Sequence, residues 1–442
     1  MSLLDHPEAQ ALLADAVVLP EDVRGLRDHL TRFLERYLPR FYRQEQRGHA
    51  AAFVRGLLSG LERKSAEPIA RQAGIPRKNL QYFVGCGAWD DEAVMAELRG
   101  HVRAELAEPD GVIVIDPSGF PKKGGDSCGV ARQWCGRLGK VDNCQLGVFL
   151  AYVSTKGHAP LDRRLYLPEE WAADAERRQA CHVPEGVVSQ TTWEIAAFLL
   201  QRGGADLPHG WVVGDDECGR ASEFRALLRQ RQERYVLDVP CNTTVRDLDG
   251  RRPPRKKGRR GPRRKVPFRR VDTWAAKLPP DRWTRFTVRD GSKEPLVVEA
   301  VVARVRAKLG RRIGPEERLL VIRTLEEKPK LTYALSNAAV DVPLSKLVDV
   351  RSRRPRIEEV FQEAKGEVGL AHYEVRSWVG WHHHITLSLL ALWFLILERR
   401  RLGGENPGGD GVASAGARHR TAPEAASDGG GDRQRGQRCA AA

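Results

Sequence analysis

Hydrophobic positions along the chain change period twice. From Glu21 to about Pro109 they recur at spacings of three and four, as in Leu26, Leu30, Phe33, Leu34 and Leu38, with few β-branched runs. That is the period of helices burying one face, and it predicts an all-helical N-terminal domain over residues 1–105. Inside it, PIARQAGIPRKNLQYFVG (68–85) places a short helix, a break at Gly74, a restart at Pro76 and a helix bearing Arg77, Lys78 and Tyr82. This pattern is compatible with helix-turn-helix DNA binding, and equally with plain packing.

After Asp110 the period shortens. Apolar runs bounded by Gly, Pro and Asp follow one another: GVIVID (111–116), QLGVFLAYV (145–153), RRLYL (163–167), WVVGDD (211–216) and RYVLDVP (234–240). Helical segments at 191–203 and 221–231 alternate with the later strands, which predicts a mixed α/β sheet. A basic stretch and four more strand-like runs then suggest a β-rich insertion over 243–350. The α/β core would comprise 106–242 and 351–402, closing with the apolar run Ile385–Leu397. That run is 13 residues, against the roughly 20 a membrane span needs, so it reads as a buried helix and no membrane partner is expected. The N-terminus lacks a basic segment followed by an apolar one, so no secretory signal is expected. The segment 403–442 is rich in Gly, Ala, Arg and Asp with almost no large apolar residue, and is expected to be disordered.

Charge narrows the class of partner. The chain carries 73 Lys and Arg against 58 Asp and Glu, a formal +15 over 442 residues, and such a field attracts polyanions, nucleic acid first. Residues 251–270 hold twelve basic side chains and no acid. Arg255, Lys256, Lys257, Arg259, Arg260, Arg263, Arg264 and Lys265 are therefore candidate contacts to DNA phosphates, binding without reading bases. The eight cysteines form no C-x-x-C pair, and reduced thiols in a cytosolic protein are expected. His382, His383 and His384 point different ways on a helix and have no companion ligand at metal-binding spacing.

Three segments carry candidate chemistry. Asp116 ends a buried apolar run, and the Pro117 and Gly119 that follow predict a turn leaving its carboxylate accessible. Asp215 ends another such run, with Asp216 and Glu217 beside it; strand alternation leaves open which of Asp215 and Asp216 points inward. Two strand-end carboxylates in one sheet can converge on a divalent cation. In RSRRPRIEEVFQEAKGEVG, Pro355 suits the first turn of a helix, and about 100° per residue puts Arg354, Glu358 and Lys365 on one face.

R-x-x-x-E-x-x-x-x-x-x-K, here Arg354, Glu358 and Lys365, resembles the Y-R-E-K signature of a group of insertion-sequence DDE transposases. V-I-D-P-S-G and V-V-G-D resemble the first and second catalytic Asp regions of that group, and the similarity covers roughly residues 80–400. In two places the chain departs from the pattern: Arg351 stands at the signature's Tyr position, and Pro355 replaces a Trp. The resemblance implies a ribonuclease H-like core in which Asp116, Asp215 and Glu358 are catalytic and hold two Mg²⁺ ions, replaceable by Mn²⁺. Arg354 and Lys365 would grip DNA phosphates. Such a protein would act on the element's terminal inverted repeats and on target DNA, as a dimer when bound to DNA, in a bacterial cytoplasm at the nucleoid. An inactive relic or a DNA-binding regulator is the alternative reading.

Overall fold

In a computed structural model of the chain, which describes residues 25–252, 265–289 and 296–402, helices form where the three-and-four spacing runs. The expected tail at 403–442, the segment 1–24 of the expected N-terminal domain and the candidate phosphate contacts Arg255 to Arg264 lie outside the described residues. Helices α1 (Leu26–Tyr37), α2 (Gln44–Leu57), α3 (Ala66–Ala73), α4 (Arg77–Gly85) and α5 (Asp91–Leu106) come first. Gly74 closes α3 at φ +66°, the left-handed region glycine enters without strain. Asp90 caps α5 through the backbone N–H groups of Glu92 and Ala93.

The next segment holds β1 (Val112–Pro121), β2 (Ala131–Cys135), β3 (Lys140–Ser154), β4 (Gly157–Leu165), α6 (Glu169–Ala173), α7 (Ala175–Ala180), α8 (Thr192–Leu199), β5 (Trp211–Gly214), α9 (Asp216–Arg220), α10 (Ser222–Gln230) and β6 (Tyr235–Asp238). β1 pairs antiparallel with β3, and β3 with both β2 and β4; β1, β5 and β6 are parallel neighbours. β4 begins six residues before the strand-like run RRLYL does, because Pro160 and Asp162 disguise it. As an outer strand paired on one side, it tolerates a proline.

The β-rich segment contains β7 (Thr244–Asp247), β8 (Arg269–Arg270), α11 (Val271–Ala275), β9 (Thr284–Arg289), β10 (Leu296–Leu309), β11 (Arg312–Thr324) and β12 (Leu331–Ser336). It does not form a sheet of its own. β12 pairs antiparallel with β6, so the strands join one mixed sheet in the order β2-β3-β1-β5-β6-β12-β11-β10-β7-β8, with β4 on β3 and β9 on β10. Val245, Val271, Trp274, Val301, Val305 and Leu319 make a second, smaller core there. Glu317, buried on β11, is held by Arg225 Nε at 3.0 Å and the Tyr235 hydroxyl at 2.6 Å, tying the two halves of the sheet together.

Three helices finish the described chain: α12 (Leu344–Ser352), α13 (Pro355–Gly366), which starts at the proline the sequence marks, and α14 (Trp378–Arg401). α14 is long and apolar enough to cross a membrane by length and composition, but 89% of its most apolar window is buried inside the protein. It packs against α1, α2, α4, α5 and β4, so the N-terminal helices and the sheet share one hydrophobic core. The three histidines are part of that core. His382 bonds the Trp378 carbonyl, His383 lies between the Val84 and Trp89 carbonyls, and His384 meets the Gly369 carbonyl.

Candidate active site

β1 runs on through Asp116 instead of turning after it, which corrects the expected turn at Pro117. The Lys122 N–H donates to the Asn143 carbonyl on β3, and the Gly111 carbonyl accepts from Gly210 on the β5 side. Alternate residues of a strand face opposite neighbours, so the Pro117 nitrogen faces the β5 side. The last β1–β5 pair is Ile115–Gly214; past it no ladder donor is needed, and a proline is harmless there. Asp116 thus sits where one neighbour strand stops and the other continues.

β5 stops at Gly214, and Asp215 caps the short helix α9, its carboxylate accepting from the N–H groups of Glu217 and Cys218 at 3.1 Å each. Asp216 turns to solvent and pairs with Arg220 at 3.3 Å, so of the two acids Asp215 is the inward one.

Glu358 lies in the first turn of α13 and Arg354 just before it. The Arg354 guanidinium sits among the acids: Nη2 is 3.0 Å from Asp116 Oδ1, Nη1 is 3.1 Å from Glu358 Oε1, and Nε is 3.9 Å from Asp238 Oδ2. Asp238, the last residue of β6, is also held by Arg351 through two hydrogen bonds of 3.0 and 2.7 Å. Sequence reasoning passed over Asp238, although RYVLDVP carries the strand-end acid that marked Asp116 and Asp215. Arg351, the departure from the Tyr of the signature, serves this fourth carboxylate. Lys365 Nζ donates to Ser118 Oγ at 2.9 Å, two residues along β1 from Asp116. Glu359 pairs with Arg356 at 2.8 Å, and its charge, with that of Glu363, is felt at the buried His158. Of the candidate phosphate contacts from Arg255 to Lys265, Lys265 is described and is exposed.

Burial pushes the Asp116 carboxyl up to about 7; Arg354 opposes this, while the negative charges of Asp215 and Glu358 add to it. Asp215 is pushed up to about 6, again by burial first, against the Cys218 N–H and Arg354 and with help from Glu217 and Asp216. Among the described residues no three His, Cys, Asp or Glu side chains stand close enough together to enclose a metal ion, Arg354 lying between Asp116 and Glu358. The donor set nevertheless suits a hard divalent cation. It is all carboxylate oxygen, and burial raises two of its members, Asp116 and Asp215, against which a bound cation would favour the charged form.

A mixed sheet with antiparallel β3 and β4 beside parallel β1, β5 and β6, and acids at the ends of the parallel strands, is consistent with the ribonuclease H-like class of metal-dependent nucleases. The chain belongs to the DDE superfamily endonuclease family, whose sequence profile matches residues 36–295. The matched span includes Asp116 and Asp215 and ends before Glu358. Endonucleases of this superfamily use divalent metals. The chain is also similar to a probable transposase for insertion sequence element IS701 from Microchaete diplosiphon, with 28% identity over 196 residues, 44% of this chain and 49% of that protein. The match thus spans about half the length of that relative.

Proposed function

We propose that this chain is an insertion-sequence transposase that cleaves DNA at the element's terminal inverted repeats and joins the freed 3′ ends to target DNA by cut and paste. The observation that carries the reading is the single guanidinium of Arg354 ringed by carboxylates from β1, β6 and α13, with Asp215 close enough for its charge to be felt at Asp116. Asp116, Asp215 and Glu358 would hold two Mg²⁺ ions, with Mn²⁺ as a substitute. Bound there, the metal supplies positive charge that acidifies an attacking water or 3′ hydroxyl and stabilises the leaving oxygen. Arg354 and Lys365 offer charged N–H donors to phosphates beside the scissile bond. The basic run from Arg255 to Lys265 holds the DNA backbone, and the helical N-terminal region binds the element ends. The protein works in the cytoplasm at the nucleoid, as a dimer on DNA.

The test uses labelled duplexes carrying the inverted repeats that flank the gene. Wild-type protein nicks them in Mg²⁺. Asp116→Asn and Glu358→Gln lose cleavage by at least about three orders of magnitude and keep DNA binding, whereas Glu359→Gln cuts normally. Normal cleavage by Glu358→Gln would overturn the assignment of the third carboxylate. Binding without cleavage by the wild type would leave a DNA-binding regulator or an inactive relic.

A further inference from the structure

β2 and β3 form a two-stranded ribbon joined by Gly136–Gly139. Its last pairs, from Arg132–Asn143 to Cys135–Lys140, lie past the final β1–β3 pair, Pro121–Cys144. The ribbon therefore leaves the sheet at the carboxyl end of β1, whose last residue, Pro121, lies five positions on from Asp116. It is not a loose arm. Cys135, next to the turn, packs so tightly on β1 that a Cβ at Gly119 would come within 2.8 Å of its Sγ. Arg137, in the turn, is near enough to Lys365 for its charge to be felt there, alongside burial.

One face of this ribbon has no partner within the described residues. Trp134 is 61% exposed and stands directly opposite Val141, 53% exposed, so the two share a face. Arg132 lies two residues from Trp134 on that same face and is exposed, as are Arg137 and Lys140. The segment contains one acid, Asp142, which is paired with Lys140 at 3.0 Å. An exposed indole on an apolar shelf, flanked by free-reaching guanidiniums, is costly in water and matches a ligand carrying both a flat aromatic face and negative charge.

We infer that the β2–β3 ribbon is a binding site for unpaired DNA, in which Trp134 stacks on an unstacked base while Arg132 and Arg137 hold the adjoining phosphates. The inference rests on the reading of the neighbouring carboxylates as a DNA-cleaving site. In a duplex the base faces are already covered by their neighbours, so cations alone would serve to hold it. The indole gains only where a base face is free, and strands parted at a cut supply such bases. A second copy of the chain is disfavoured as the occupant, because it would bring three more cations against the same three.

The experiment measures affinity of the full chain, without divalent metal so that nothing is cut. One probe is a mixed-sequence 30-base-pair duplex with a five-thymidine single-stranded extension; the other is the same duplex with blunt ends. Wild-type protein prefers the extended probe. Trp134→Ala weakens binding to that probe by about ten-fold or more and leaves the blunt one unchanged, while Trp134→Phe keeps most of the preference. Arg137→Ala lowers the salt dependence of binding the extended probe by about one counterion. Equal affinities of Trp134→Ala and wild type for both probes would overturn the inference, as would a wild type without preference. A Trp134→Ala protein whose sedimentation shows a lost dimer and whose probe preference is intact would also overturn it, reassigning the face to self-association. Failure to bind either probe would instead strike the proposed function, and cleavage by a Trp134→Ala protein with unaltered probe binding would strike this inference alone.

Discussion

Two groups of acids are buried in this protein, and cations answer them unequally. Around Asp162 on β4, Arg202 contributes bonds of 2.5 and 3.0 Å and Arg99 one of 3.3 Å. Buried Arg163 reaches Asp91 and Glu92 and bonds Thr386 of α14. Three acids meet three guanidiniums. Asp91 accordingly lies below the usual carboxylate range: burial works against its ionisation, and Arg163 together with Arg202 and the neighbouring His382 and His383 outweighs burial. At the ends of β1, β5 and β6, by contrast, Asp116, Asp215, Asp238 and Glu358 share Arg351 and Arg354, while Lys365 is bonded to Ser118. The balanced cluster ties β4 to α5 and α14 and is complete as it stands. In the unbalanced one burial, helped by the charges of Asp215 and Glu358, outweighs Arg354 and holds Asp116 near 7, and a deficit of positive charge at the mouth of a sheet marks a place where charge arrives from outside.

Neutralising one acid in each cluster breaks the comparison most sharply. Asp162→Asn leaves the mostly buried guanidiniums of Arg99 and Arg202 with Glu92 alone as their acidic partner and should cost about 3 kcal/mol of stability. Asp116→Asn removes a charge that burial already disfavours, and stability at pH 7.5 should be unchanged or higher. Urea unfolding of both variants checks this, and equal losses would contradict it.

Acidity separates the clusters less dramatically. Asp116 binds its proton more tightly folded than unfolded, since about 7 stands against an ordinary 3.8. Its contribution to stability is therefore complete below about pH 4 and is lost as pH rises through about 7. Metal-free wild type should lose stability from pH 5 to pH 8 more steeply than Asp116→Asn, read as urea midpoints across that range; parallel curves would refute the shift. The smallest effect belongs to Glu359→Gln, whose partly exposed i,i+3 pairing with Arg356 should cost about 1 kcal/mol.

Parts of this site were legible along the chain and parts were not, for identifiable reasons. Asp116 and Asp215 stood out because each follows a continuous apolar run, and α13 because Pro355 suits only a helix's first turn. Asp238 carried the same signal and was missed, since its two arginine partners come from residues more than a hundred positions later. The continuation of β1 past Asp116 was hidden by Pro117 and Gly119, which read as a turn until β3 is seen to hold one side and β5 to leave the other open. The start of β4 was hidden because Pro160 and Asp162 look like a loop until distant Arg99 and Arg202 neutralise the aspartate. The helical period of residues 26–106 was plain, yet nothing local told that those helices share a core with α14. Likewise the strands after Thr244 were recognisable singly, while their continuation of the same sheet depends on the β6–β12 pairing across about a hundred residues.

On the proposed function, the carboxylates of β1, β5, β6 and α13 form an incomplete cluster that a divalent cation completes. That completion is tested most directly by the unfolding temperature at pH 7.5 of wild type, Asp116→Asn and Glu358→Gln, each titrated with MgCl₂ and MnCl₂. A ligand that binds only the folded state raises the transition in proportion to its affinity. Wild type should show a saturable rise and either variant little or none. The same rise in all three proteins, or none in the wild type, would contradict completion by a cation.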